Sequence, residues 1–292
     1  MKTLLFLLSF NLFYSQIQKH FIYDELNRHV IPFAEVEFFR NDSTKTILYS
    51  SKNGLIQIEN ISTINKIKIS IPGYDLKTIK PNELRDTIFV EKKSEELKEV
   101  VIKSKIKESY EIGYHNESKK LRISSSKGLE ILVFIENNAN KETMIKSFMC
   151  KIIKNKSFTS AVRLHFYNKD PEKLYPNEEI TNDNIITYLK GNINKNLEID
   201  LTKYGLYLPI EGIFIGLEWL GEYDELNDTF LDNQYYETKI DLNDAFEQSI
   251  SFTRNHLNNS TWGNLCEDLK KYANINTTNC LNASFGIKVY KE

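Results

Sequence analysis

Glu218 is a carboxylate set inside the apolar run Ile213-Phe-Ile-Gly-Leu-Glu-Trp-Leu220. Strand alternation puts Ile213, Ile215, Leu217 and Trp219 on one face and Phe214, Gly216, Glu218 and Leu220 on the other. A charge among such neighbours must be paired, exposed on a wet sheet face, or functional, because burying it alone is costly. Arg163 occurs in a run of the same character, Ala161-Val-Arg-Leu-His-Phe-Tyr167, with His165 and Tyr167 on its face. If the two strands are neighbours, Arg163 meets Glu218. The first reading of that meeting is an ion pair that specifies the fold. The second is a ligand-binding groove lined by Arg163, His165, Tyr167, Glu218 and Trp219, although alternation turns Trp219 the other way.

Other residues offer weaker chemistry. The acidic stretch Glu222-Tyr-Asp-Glu-Leu-Asn-Asp-Thr-Phe-Leu-Asp232 carries hard oxygens, and Asp224, Asp228 and Asp232 are its calcium candidates. Their spacing is not that of an EF-hand loop, so a solvated loop is the plainer reading. Glycoside hydrolysis needs two carboxyl groups facing each other across a cleft, a role into which Glu218 with Glu222 or Asp224 could be fitted. Tyr235, Tyr236, Trp262 and Tyr272 could form a sugar-stacking platform, but aromatics in β domains more often fill cores. No Gly-x-Ser-x-Gly elbow, phosphate loop or His-Glu-x-x-His is present. With five scattered histidines and no Cys-x-x-Cys pair, a zinc site is not expected.

The elements that must position these residues are strands. Residues 1–15 stand apart: Lys2, an apolar run to Tyr14 and the small Ser15 have the form of a signal peptide, with Gln16 the first mature residue. That run is too short to span a bilayer, and no later one is long enough. No cysteine follows it to carry a lipid anchor. Without Lys2, 37 basic residues face 40 acidic ones, a balance that argues against a nucleic-acid partner. An apolar content of 41% suffices for real cores. An oxidising compartment would let Cys266 and Cys280 close a short loop by a disulfide, with Cys150 left as a small buried hydrophobe; three thiols are an equal alternative.

From Ile17 to Glu91 the pattern is strand after strand. Ala34, Val36 and Phe38 alternate with Glu35 and Glu37, and Ile67, Ile69 and Ile71 alternate again before Pro72-Gly73 ends the run. Asn53-Gly54 reads as a hairpin turn joining strands at 46–50 and 55–59. Residues 93–109 are a charged joint or bridging strand around Val100-Val-Ile102. Residues 110–292 hold about eight to ten further strand candidates by periodicity, and one helix, Cys266–Ala273.

The segments Ile31-Pro-Phe-Ala-Glu-Val36, Ser51-Lys-Asn-Gly-Leu-Ile-Gln-Ile58, Ile67-Lys-Ile-Ser-Ile-Pro-Gly-Tyr74 and Leu97-Lys-Glu-Val-Val-Ile102 resemble the carboxypeptidase regulatory-like domain. The resemblance implies a small transthyretin-like antiparallel β-sandwich over 16–92, of the kind placed at the start of exported envelope proteins of Gram-negative bacteria. No zinc-carboxypeptidase catalytic motif follows, so the family name implies no peptidase. Ala161–Tyr167, Tyr207-Leu-Pro209 and Glu211–Trp219 resemble the C-terminal region of uncharacterised envelope proteins, which implies location and fold but no activity. The expected fold is therefore all-β: the small sandwich, then a larger jelly-roll-like β-sandwich. The expected protein is an exported, non-catalytic binding or structural component of the periplasm, the outer-membrane surface or the extracellular face. Its partner would be an envelope protein or a polysaccharide, with no cofactor unless calcium. The alternatives are a carbohydrate-binding module, with or without calcium, and behind it a glycoside hydrolase.

Overall fold

The computed structural model describes residues 17–93, 108–116, 121–139, 141–154, 158–224, 226–227, 229–231, 238–258, 261–273 and 278–291. The signal segment 1–15 and nearly all of the joint 93–109 lie outside the described residues. The chain forms two compact units, one from Met1–Ile69 and Leu76–Val90, the other from Ser70–Asp75 and Glu91–Glu292. Among the described residues no helix is long and apolar enough to cross a membrane.

The first unit contains β1 (Gln18–Asp24), β2 (Glu35–Arg40), β3 (Lys45–Tyr49), β4 (Leu55–Ile58), β5 (Ile64–Ser70), β6 (Lys77–Ile79) and β7 (Thr87–Val90). They make a three-stranded sheet, β4-β1-β7, and a four-stranded sheet, β3-β2-β5-β6. The alternation read in the sequence is realised: Val36, Phe38, Ile67 and Ile69 are buried from one sheet, Ile22, Ile56, Ile88 and Val90 from the other. Two expectations need correction. The sheets are not wholly antiparallel, because β7 runs parallel to β1. Asn53-Gly54 does not close a hairpin either. Ser50 still donates its N–H to Ala34 beside β2, whereas the Gly54 carbonyl accepts from Ile22 of β1, so the turn carries the chain from one sheet to the other. Gly54 has φ +68°, and a Cβ there would lie 2.8 Å from the Ile22 oxygen, so only glycine fits the crossing.

The second unit is a two-sheet β-sandwich. Its strands are β8 (Ser109–Gly113), β9 (Leu121–Ser124), β10 (Leu129–Ile135), β11 (Thr143–Lys154), β12 (Thr159–Lys169), β13 (Pro176–Glu179), β14 (Ile185–Leu189) and β15 (Ile193–Asp200). They continue with β16 (Tyr207–Leu208), β17 (Ile213–Asp224), β18 (Thr229–Phe230), β19 (Lys239–Phe246), β20 (Ser251–Asn255), β21 (Gly263–Asn264), helix α1 (Leu265–Ala273), β22 (Cys280–Ala283) and β23 (Phe285–Tyr290). One sheet has the order β13-β12-β17-β10-β20-β21, the other β22-β19-β11-β23-β8. One apolar core lies between them. From the first sheet it takes Ile131, Val133, Val162, Leu164, Phe166, Ile215, Leu217 and Trp219; from the second, Phe148, Cys150, Ile152, Ile240, Phe285, Ile287 and Val289. The alternate residues of β10, β12, β17 and β20 therefore sit on the outer face of the first sheet, and the chemistry gathers there.

Candidate functional site

The register of four adjacent strands sets the arrangement. Arg163 of β12 lies opposite Glu218 of β17, Glu218 opposite Glu130 of β10, and Glu130 opposite Arg254 of β20. Like charges placed directly opposite repel, and here each carboxylate has a guanidinium on its outer side. Arg163 Nη1 donates to Glu218 Oε2 at 3.1 Å, and Arg254 Nε to Glu130 Oε2 at 2.8 Å. Arg163 is fixed further by its Nε, which donates to Asn184 Oδ1 at 2.9 Å.

One step along the sheet, His165 faces Gly216. A Cβ at 216 would lie 2.6 Å from Glu130 Oε1, so the glycine is what leaves room for that carboxylate. His165 Nδ1 is 2.6 Å from Glu179 Oε1, and its Nε2 is 2.9 Å from Glu218 Oε2. Both neighbours are carboxylates, which only accept, so both ring nitrogens serve as donors and the imidazole is protonated. Tyr167 donates its hydroxyl proton to Glu130 Oε1 at 2.9 Å and accepts from Arg254 Nη2 at 2.7 Å. His256 sits in the short helical turn that follows β20, with Nε2 2.8 Å from Glu130 Oε2 and 3.8 Å from Glu218 Oε1. Its ring stacks on His165 at 5.7 Å.

Glu130 and Glu218 have no solvent exposure. Burial pushes their pKa values up, but the neighbouring cations outweigh it. Arg254, His165 and His256 hold Glu130 down at about 2, and His256, Arg163 and His165 hold Glu218 well below the usual carboxylate range. His165 is moved in the opposite sense: burial favours its neutral form, but Glu130 and Glu179 raise it to about 10. Burial and Glu130 together raise Tyr167. The group is a layer of alternating charge in which each charged member has a partner of opposite sign.

Of the residues singled out in the sequence, the structure brings together Arg163, His165, Tyr167 and Glu218. Trp219 does not join them; it is buried in the inter-sheet core on the opposite face, as period-two alternation requires. Glu222 cannot pair with Glu218 across a cleft. The register slips at Leu220, leaving Ser160 opposite Glu222 and Val162 opposite Trp219, so the bulge turns Glu222 to the Trp219 face. Asp224 spends its carboxylate on its own turn, accepting from the backbone N–H of Leu226 at 2.9 Å and from the Asn227 side chain at 2.7 Å. Asp228, Asp232, Tyr235 and Tyr236 lie outside the described residues. Trp262 meets Tyr167 edge-on at 5.5 Å and carries the Arg254 guanidinium 4.2 Å over its ring, so that face is already covered. Tyr272 is exposed on α1 rather than on a strand. Cys266 and Cys280 are disulfide-bonded with Cα atoms 5.3 Å apart, and Cys150 is a buried free thiol.

Glu130, Glu179, Arg254 and His256 were missed from the sequence. Glu130 had the same signature as Glu218, a lone acid in the apolar strand Leu129-Glu-Ile-Leu-Val-Phe-Ile135. Two of the histidines that are scattered in the sequence meet in space: His165 and His256, 91 positions apart, stack in one cluster with Glu130.

No family model matches the chain, and no curated protein does. Among solved structures, it is similar to the cysteine protease Cwp84 after propeptide cleavage, at 12% identity and TM-score 0.38 over 89% of this chain and 66% of that one. A second structure holds the cysteine protease and lectin-like domains of Cwp84, a surface-layer-associated protein of Clostridium difficile. It is 11% identical with TM-score 0.36, over 89% of this chain and 59% of that one. The infectious bursal disease virus Gt strain matches at 11% identity and TM-score 0.24. The chain covers less than two thirds of either Cwp84 chain.

Proposed function

We propose that this is an exported, non-catalytic protein of a bacterial cell envelope with a binding or structural role, whose first unit is a carboxypeptidase regulatory-like domain of transthyretin-like type. The observation that carries the non-catalytic reading is the burial of the acid pair against Arg163 and Arg254. Glycoside hydrolysis requires one carboxyl kept protonated as the acid, beside a second that reaches the sugar. Glu130 and Glu218 are both inaccessible and both pushed towards the carboxylate form, so neither supplies a general acid.

Export is supported by the apolar leader ending at Ser15 and by the Cys266–Cys280 disulfide, a bond that persists in oxidising compartments. Three of the segments that carry the resemblance, 31–36, 51–58 and 67–74, contribute to strands β2, β4 and β5 of the first unit's two sheets, which supports the domain assignment; the fourth, 97–102, lies outside the described residues. A polysaccharide partner has less support than a protein one: the exposed aromatics among the described residues are Phe21 on β1, Phe158 just before β12 and Tyr272 on α1, one to an element rather than several along one sheet face. The test is crosslinking and pull-down from native envelopes, with polysaccharide retention and N-terminal sequencing on the same sample. A mature N-terminus at Gln16, a crosslinked envelope protein and no sugar hydrolysis are the expected results. Recovery from the cytosol with residues 1–15 attached, or turnover of a glycan, would overturn the reading.

A further inference from the structure

We propose that Glu130, His165 and His256 form a binding site for a divalent transition-metal ion of the zinc class. One carboxylate oxygen and two imidazole nitrogens, one from each residue, lie within 4.8 Å of one another. A four-coordinate zinc with ligands at 2.0–2.2 Å holds its donors about 3.4 Å apart. The His256 Nε2–Glu130 Oε2 distance of 2.8 Å is already on the short side of that value. Binding would draw the three donors, now within 4.8 Å of one another, to about that spacing.

Three further features point the same way. Glu179 holds His165 by Nδ1 at 2.6 Å, which leaves Nε2 as the atom turned into the cluster. A carboxylate behind an imidazole is the arrangement that orients metal-bound histidines and increases their basicity. Glu218 lies 2.9 Å from His165 Nε2 and 3.8 Å from His256 Nε2, in place to complete the coordination or to support it. The ion would take the place of the Nε2 proton that His165 otherwise gives to Glu218, releasing that proton to solvent. With both imidazoles then neutral, the carboxylates of Glu130, Glu179 and Glu218 exceed the guanidiniums of Arg163 and Arg254 by one charge, which balances part of the ion's own. Paired imidazoles select a zinc-class ion over calcium or magnesium, which take oxygen donors. The side chains of His256, Arg254 and Glu179 are partly exposed, so the cluster borders solvent on that side. Bound there, it would tie β10, β12 and the turn after β20 together. The site does not depend on export or on the identity of any partner.

The experiment uses the full mature chain, stripped with a chelator and titrated with Co2+ and then Zn2+. About one Co2+ per chain should be retained, with a visible absorption band that Zn2+ abolishes, and Zn2+ should raise the thermal midpoint. His256→Gln should weaken binding at least tenfold, while His29→Gln, at an exposed position in the other unit, should bind like wild type. Folded wild type that gives no Co2+ band, or His256→Gln that binds as wild type does, overturns the proposal. If circular dichroism shows that His256→Gln does not fold, diethyl pyrocarbonate modification of the wild type decides. Zn2+ must then protect His256 and leave His29 reactive; equal modification of His256 with and without Zn2+ overturns the proposal.

Discussion

Glu218 accepts from Arg163 and His165, and all three side chains are buried. Removing one member of such a pair leaves an uncompensated buried charge, a loss of about 3–5 kcal/mol. Glu218→Gln should therefore lower the unfolding free energy of the second unit by about that amount in urea titrations. The double replacement Arg163→Met with Glu218→Leu should cost less than the sum of the two single changes, because it removes the pair rather than orphaning half of it. A double-mutant cycle with no coupling would contradict the paired layer. The same groups set the pH response of the chelator-treated protein. His165, faced by Glu130, Glu179, Glu218, Arg163, Arg254, His256 and Tyr167, has a folded pKa of about 10, above its unfolded value. Its contribution is complete below about pH 6.5 and is lost as pH rises towards 10. Glu130, lowered to about 2, contributes above about pH 4.5 and loses that contribution as pH falls towards 2. Urea midpoints should be highest between those limits and fall on both sides; a flat profile from pH 6.5 to 10 would contradict the assignment of His165.

At the level of elements, β17 is the central support. It lies between β10 and β12, and every residue from Ile213 to Tyr223 is buried. Its two faces do different work: Ile215, Leu217 and Trp219 fill the sandwich, and Gly216 and Glu218 build the charged layer. Gly216→Ala would drive a methyl group against Glu130 Oε1, and overpacking of that kind costs about 1–3 kcal/mol. Calorimetry should show a lowered midpoint for this variant, whereas Gly191→Ala, where a Cβ meets nothing within 4 Å, should lose only the strain of its φ of +66°. The disulfide fastens the first turn of α1 to β22 across 14 positions, and closing a loop of that size is worth about 3 kcal/mol. The variant with serine at both positions should lose about that much in denaturant; no loss would mean that the helix is held by packing alone.

For the whole molecule, stability is expected to be uneven. Amides of β17 are bonded on both sides and covered on both faces, whereas β21 and β13 stand at the ends of their sheet. Native-state hydrogen exchange should find the slowest amides between Phe214 and Tyr223 and much faster exchange at Gly263 and Asn264. The reverse order would contradict the place of β17 as the central support of its sheet. The two units can be followed separately in the same experiment, since their cores are built from different stretches of chain.

The sequence by itself determined the β class, most strand positions and the face on which each side chain lies. A period of two is a local property of the backbone, and Glu218, Arg163, His165 and Trp219 all obeyed it. It also marked Glu218 as a residue in need of a partner, since an isolated acid in an apolar strand has few stable alternatives. Which strands became neighbours was decided only by the tertiary structure. Glu130, Arg254 and His256 reach Glu218 through pairings between segments far apart in the chain, and no local pattern encodes their register. The same holds for Asn53-Gly54, whose turn chemistry was legible although its destination, the other sheet, was not. A turn type fixes a reversal of the chain over a few residues; which strand is then joined depends on the competition among all strands to bury their apolar faces together.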